Sequence, residues 1–156
     1  MRTAEGEGTA VEVYLPLATV GESPESEPPE VRSTDGRARV LVVDDEEAIR
    51  EVASEMLEEL GCRAVAVSGG REAVERYGED PDSIDLVLLD LVMPDLSGKE
   101  TYAALREIDP GVRVVLSSGY AFGSESEALM QAGARGFLQK PYQIADLGAV
   151  VRAALE

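Results

Sequence analysis

The stretch that most constrains the fold reads Ile84-Asp85-Leu86-Val87-Leu88-Leu89-Asp90-Leu91-Val92-Met93-Pro94-Asp95-Leu96-Ser97-Gly98. Leu86 to Leu89 are apolar without alternation, so both faces of this segment must be covered, as in a strand inside a parallel sheet. Asp90 follows directly, at the carboxyl end of the expected strand, where open α/β sheets hold their ligands. An aspartate in that position is most often a turn-former or a helix cap. Whether Asp90 is more than that depends on what stands at the ends of the other strands.

The pattern recurs along the chain. Val40 to Val43 is a short apolar strand ended by Asp44-Asp45-Glu46-Glu47, and Ala48, Ile49, Val52, Ala53, Met56, Leu57 and Leu60 follow at helical spacing up to Gly61. Cys62 to Val67 gives a second strand; Ser68-Gly69-Gly70 then turns into a short helix carrying Ala73, Val74 and Tyr77. After the stretch around Asp90, a helix with Tyr102, Leu105 and Ile108 stops at Asp109-Pro110-Gly111. Val112 to Ser117 is a fourth strand, ended by Ser118-Gly119, and a helix around Glu125 to Ala132 stops at Gly133. Gly136 to Gln139 is a fifth strand closed by Lys140-Pro141, and Ile144, Leu147, Val151 and Leu155 line one face of a last helix.

Strict alternation of strand and helix with short loops predicts an α/β fold, a doubly wound five-stranded parallel sheet with helices on both faces. Strand order 2-1-3-4-5, the flavodoxin-like arrangement, is a common solution for such a chain. It places strands 1, 3, 4 and 5 side by side, and their carboxyl ends carry Asp44-Asp45, Asp90, Ser118 and Lys140. Strand 2, at the edge, ends in Ser-Gly-Gly and brings nothing reactive.

Composition removes several alternatives. A net charge of −17 argues against a nucleic-acid partner, whose phosphates call for clustered Lys and Arg, and favours divalent cations. The sequence holds no histidine and one cysteine, Cys62, which excludes Ser-His catalysis, a His-ligated metal and an internal disulfide. Without a signal peptide or an apolar run long enough to span a bilayer, a cytoplasmic protein without membrane contact is expected.

Neighbouring strands lie about 4.8 Å apart, so carboxylates on strands 1 and 3 can share one small cation. Mg²⁺ suits few carboxylates supplemented by water, a carbonyl and phosphate oxygens. Helix capping accounts for one of Asp44 and Asp45 better than for both. With a positive charge at Lys140 and a hydroxyl at Ser118, the set makes a trap for a phosphoryl group that a carboxylate can attack.

The set Asp44-Asp45, Asp90 followed by Met93-Pro94 and Gly98, Ser118-Gly119, and Lys140-Pro141 resembles the receiver domain of two-component response regulators over residues 39–156. The resemblance implies that Asp90 accepts the phosphoryl group. Asp45 would bind Mg²⁺ directly, Asp44 mainly through water, and the Val92 carbonyl would complete the protein ligands. Lys140 would bind the phosphoryl group and Ser118 would swing toward it. Phe137 falls at the switch aromatic, often Tyr, and has no hydroxyl to mark its two orientations. Val92 and Tyr120 stand at the positions that influence hydrolysis of the acyl phosphate. An apolar group and a bulky aromatic give no evident help in orienting an attacking water, so a lifetime that is not unusually short is expected.

Ahead of this domain, Ser23 to Arg32 is acidic and Pro-rich, a linker expected over 18–38. Residues 6–17 read G-E-G-T-A-V-E-V-Y-L-P-L, with Val11, Val13 and Leu15 alternating as in a half-buried strand. They resemble the last strand of histidine-kinase ATP-binding domains, so residues 1–17 are expected to be a remnant of one. No kinase catalytic motif is present, and any catalysis would be the receiver's own phosphorylation and dephosphorylation. The chain thus resembles the C-terminal receiver of a hybrid histidine kinase. It would take phosphate from a kinase in cis or trans and pass it to a histidine phosphotransfer protein, or act as a sink, as a monomer or weak dimer. With no further domain after the last helix, its output is expected to be a protein contact around strands 4 and 5.

Three other readings compete. A metal-dependent phosphatase would need a cap that loops this short do not build. An FMN binder would need a phosphate-cradling loop where this chain has Asp44-Asp45-Glu46-Glu47. A phosphorylation-independent interaction module would leave the complete acidic and lysine set without a purpose.

Overall fold

The computed structural model describes residues 2–3, 9–10 and 38–156. The strand expected over Val11 to Leu15 lies outside the described residues, as does the expected linker apart from Ala38. Arg2–Thr3 pairs antiparallel with Thr9–Ala10.

From Ala38 onward strands and helices alternate: β1 (Arg39–Val43), α1 (Glu47–Glu59), β2 (Arg63–Val67), α2 (Gly70–Glu79), a 3₁₀ turn (Pro81–Ser83), β3 (Leu86–Asp90), α3 (Gly98–Ile108), β4 (Val114–Ser118), α4 (Ser124–Gln131), β5 (Gly136–Gln139) and α5 (Ile144–Leu155). All five strands are parallel, in the order β2-β1-β3-β4-β5. This is the expected doubly wound sheet.

The unbroken apolar strands are explained by two cores, one on each face. Leu41, Val43, Val87 and Leu89 point toward Ala73, Tyr77, Tyr102, Leu105 and Leu129 of α2, α3 and α4. Val40, Val42, Leu86 and Leu88 point the other way, onto Ala53, Leu57, Leu147 and Val151 of α1 and α5. Ala38 joins this second core, and its carbonyl accepts a hydrogen bond from Arg63 N–H at 2.8 Å.

Two features fix where α3 begins, and thereby where β3 delivers its last residue. Ser97 and Glu100 form a reciprocal capping box: Ser97 Oγ accepts from Glu100 N–H at 3.3 Å while Glu100 Oε2 accepts from Ser97 N–H at 3.1 Å. At Gly98 a Cβ would stand 2.6 Å from the Asp90 carbonyl oxygen and 2.6 Å from Leu91 Cα, so only glycine lets the helix start this close to the strand end.

Some expectations shift in detail. Asp90 is the last residue of β3 rather than the residue after it, and β4 starts at Val114 rather than Val112. Val52 and Ile108 match the apolar spacing of their helices yet are exposed. The apolar arc of α1 is wider than the stripe that reaches the sheet, which is centred on Ala53 and Leu57.

Candidate functional site

Three strand ends meet at the carboxyl edge of the sheet. Val43 is in register with Leu89, which sets Asp44 beside Asp90 on adjacent strands. Asp44 and Asp90 are both buried, whereas Asp45 is exposed. The three carboxylates each offer an oxygen within 4.8 Å of the others. Lys140, the residue directly after β5 and just ahead of a cis bond to Pro141, donates from Nζ to Asp44 Oδ2 at 2.6 Å and stands 3.0 Å from Asp90 Oδ1. The structure therefore brings together four of the residues singled out from sequence.

Burial dominates the electrostatics of Asp90. It pushes the carboxyl above the ordinary carboxylate range; the Lys140 ammonium pulls it back, and Asp44 and Asp45 push it up further. For Lys140, burial works against the charge, but the hydrogen bonds to Asp44 and Asp90 outweigh it and hold the ammonium above the usual lysine value. Two acidic oxygens around one ammonium, with a third carboxylate open to solvent, leave an excess of negative charge. Hard divalent cations bind such oxygen sets, and Mg²⁺ takes one or two carboxylates with waters completing its shell. The donor set fits that ion.

Asp44 also has a local role. Its Oδ1 accepts from Glu46 N–H at 3.0 Å, a turn bond just ahead of α1, and its carbonyl accepts from Arg50 Nη1 at 2.7 Å. The capping-like and charge-bearing roles thus fall on different oxygens of one residue, while Asp45 is left facing solvent.

The remaining expected residues surround this centre. Ser118, buried at the end of β4, accepts at Oγ from Tyr120 N–H at 3.1 Å, and its carbonyl accepts from Lys140 N–H at 2.8 Å. Its backbone thus anchors the start of the Lys140 turn. Phe137 is half-buried in β5 and meets Phe122 edge to face, ring centres 5.2 Å apart at 77°. The side chains of Val92 and Tyr120 are 56% and 73% exposed on the rim. Beside Lys140 runs an apolar groove of about 320 Å³ lined by Ile49, Val52, Met56, Pro141 and Tyr142.

Sequence reasoning missed Arg50, Asp95 and Phe122. Arg50 and Phe122 carry no local signal, because their partners are chosen by tertiary contact. Asp95, in the loop after Asp90, bonds to the first turn of α2, and the Gly69-Gly70 pair opposite it was the only trace of that approach.

Comparison with known proteins agrees with this geometry. Residues 40–152 match the family model described as response regulator receiver domain. The chemotaxis protein CheY of Halobacterium salinarum is 38% identical over 106 residues, covering 67% of this chain and 86% of that protein. The sensor kinase CckA of Brucella abortus is 30% identical over 159 residues, covering 97% of this chain but 17% of that kinase. Among solved structures, a response regulator receiver domain protein from Clostridium thermocellum superposes with a TM-score of 0.72 at 30% identity, covering 76% of this chain and 94% of that one. CheY from a CheX-CheY-BeF3-Mg complex of Borrelia burgdorferi gives 0.73 at 26% identity, covering 76% and 90%. The family match takes in all five strands of the parallel sheet, apart from Arg39 at its start, and every strand end that builds the acidic centre, and the chain belongs to the response regulator receiver domain family.

Proposed function

We propose that Asp90 is the phosphoacceptor of a two-component phosphorelay. The observation that carries this reading is the Lys140 ammonium held between Asp44 and Asp90 beside the third carboxylate of Asp45. A carboxylate oxygen of Asp90 attacks phosphorus of a donor phosphohistidine. The P–N bond breaks, the nitrogen keeps the bonding pair, and a proton from solvent completes the free imidazole. The donor is a separate histidine-bearing domain, since this sequence contains none. Asp44, Asp45, Asp90 and the Val92 carbonyl would hold Mg²⁺, which would supply positive charge for the phosphoryl oxygens. Lys140 binds one of those oxygens and Ser118 another, and the movement of Ser118 is passed to Phe137.

Val92 is apolar and Tyr120 is a bulky aromatic turned outward on the rim, with no amide or carboxylate at either position to hold a hydrolytic water, which favours a phosphate that is not short-lived. The apolar groove beside Lys140 gives a kinase or phosphotransfer protein a surface to rest on while its histidine reaches Asp90. The similarity to a sensor kinase over nearly the whole chain, residues ahead of the receiver included, supports a hybrid histidine kinase as the parent protein. Among the described residues no helix is long and apolar enough to cross a membrane.

Borohydride reduction of the protein after incubation with Mg²⁺ and acetyl phosphate, followed by peptide mapping, tests the assignment. Reduction at Asp90 alone is expected. A reduced residue elsewhere would move the site, and none would favour a phosphorylation-independent interaction module.

A further inference from the structure

The loop between β3 and α3 carries Val92 and lies directly after Asp90. Asp95, in the middle of this loop, is exposed, and a carboxylate in such a place is ordinarily no more than solvated. Here it reaches across to another element. Its Oδ1 accepts from Gly70 N–H at 3.3 Å and its Oδ2 from Arg71 N–H at 3.1 Å. These donors belong to the first turn of α2, whose N–H groups have no partner within the helix and whose own N-cap residue, Gly69, supplies no side-chain bond.

The approach is built into the neighbouring sequence. A Cβ at Gly69 would stand 2.7 Å from Asp95 Oδ2, so any other residue there displaces the carboxylate. A Cβ at Gly70 would collide with Thr101 Oγ1 and the Leu96 carbonyl. Thr101 is fully buried, and its hydroxyl donates to that same Leu96 carbonyl at 3.4 Å. The loop is thus gripped at two successive residues, Asp95 by α2 and Leu96 by α3. An ordinary cap would serve α2 from its own N-terminus. This one is supplied by the segment that also has to present Val92.

We propose that Asp95 is a positioning residue of the site: its two hydrogen bonds to α2 fix the loop that carries Val92, and so set the metal-binding geometry beside Asp90. The inference rests on the function proposed above.

The test uses the full chain as wild type, Asp95→Ala, Asp95→Asn and the control Asp109→Ala. The control removes the 2.9 Å bond from Tyr77 Oη at the other ends of α2 and α3. Mg²⁺ affinity is read by NMR titration, amide hydrogen exchange over 91–97 is read in metal-free protein, and melting temperature is read alongside. Asp95→Ala is expected to weaken Mg²⁺ binding about tenfold, the low end for a group that orients a metal ligand, and to speed exchange across the loop. Asp95→Asn keeps one acceptor and is expected to lose about threefold, the effect of one hydrogen bond, which keeps the test open if the alanine variant does not fold. Asp109→Ala should lower the melting temperature with Mg²⁺ affinity unchanged. If both Asp95 variants bind Mg²⁺ within twofold of wild type, or if Asp109→Ala weakens binding as much, Asp95 is only a helix cap. A wild type that binds no Mg²⁺ would instead overturn the functional reading, and this inference with it.

Discussion

Replacing Asp90 with Asn removes one of two buried negative charges from a cluster whose carboxylates, among the described residues, are paired by Lys140 alone. Asp90 has carboxylate neighbours within 4.8 Å at Asp44 and Asp45. At that separation each repulsion is worth about 3.5 kcal/mol with an effective dielectric constant near 20, and less for the solvent-facing Asp45. Lys140, 3.0 Å away, returns about 5.5 kcal/mol on the same scale. Burial then weighs against the charged form. Asparagine keeps an oxygen that can accept from Lys140, gives up the repulsion and sheds most of the cost of burying a charge. Asp90→Asn is therefore expected to be more stable than wild type by about 1–2 kcal/mol at pH 7 without divalent cations, or about 5 °C in melting temperature. The sign with pH follows from the raised carboxyl value of folded Asp90. The folded state binds this proton more readily than the unfolded chain, so the penalty is absent below the unfolded value of about 3.9 and grows as pH rises through the folded one. Thermal melts followed by circular dichroism in EDTA at pH 7 and pH 4 measure both effects. Saturating Mg²⁺ should then narrow the gap by stabilising wild type, about 1.4 kcal/mol per tenfold excess over its Kd. A variant no more stable than wild type at pH 7 in EDTA would refute the picture of a strained acidic centre.

Three other expectations follow from particular residues. Gly98→Ala forces a Cβ against the backbone of Asp90 and Leu91 and should cost about 2–3 kcal/mol in denaturant titration; a loss below half a kcal/mol would mean the loop adapts freely. Cys62 is fully buried, and burial first, with Asp85 second, raises its thiol above the ordinary value. Native protein at pH 8 should react with a thiol reagent at least about a thousandfold more slowly than protein in denaturant, and a fast native reaction would contradict the packing. Placing an amide and a carboxylate at the rim, Val92→Asn with Tyr120→Glu, should speed hydrolysis of the aspartyl phosphate by about tenfold or more, read as decay of the phosphorylated mass.

The fold was legible because short apolar strands without alternation permit few arrangements, and strict β-α order restricts them to a doubly wound sheet. The centre was legible for a related reason. Asp44, Asp45, Asp90 and Lys140 stand at strand ends, where strand order alone brings residues from distant parts of the chain together. What sequence did not disclose depends on side chains crossing between helices. Asp95 is 24 residues from Arg71, and nothing in its own surroundings distinguishes it from a solvated turn residue. Val52 fits the apolar period of α1 yet faces the groove beside Lys140, because periodicity gives the width of a face and not the part the sheet covers. Phe137 could be placed on β5, but the edge-on contact with Phe122 belongs to the path of the loop after β4.

The most direct test of the account is intact mass after incubation with Mg²⁺ and acetyl phosphate, for wild type and Asp90→Asn, each repeated in EDTA. A single phosphoryl adduct on wild type, lost in EDTA and absent from the variant, is the predicted result. An unchanged wild-type mass, or an adduct that survives in Asp90→Asn, would contradict it.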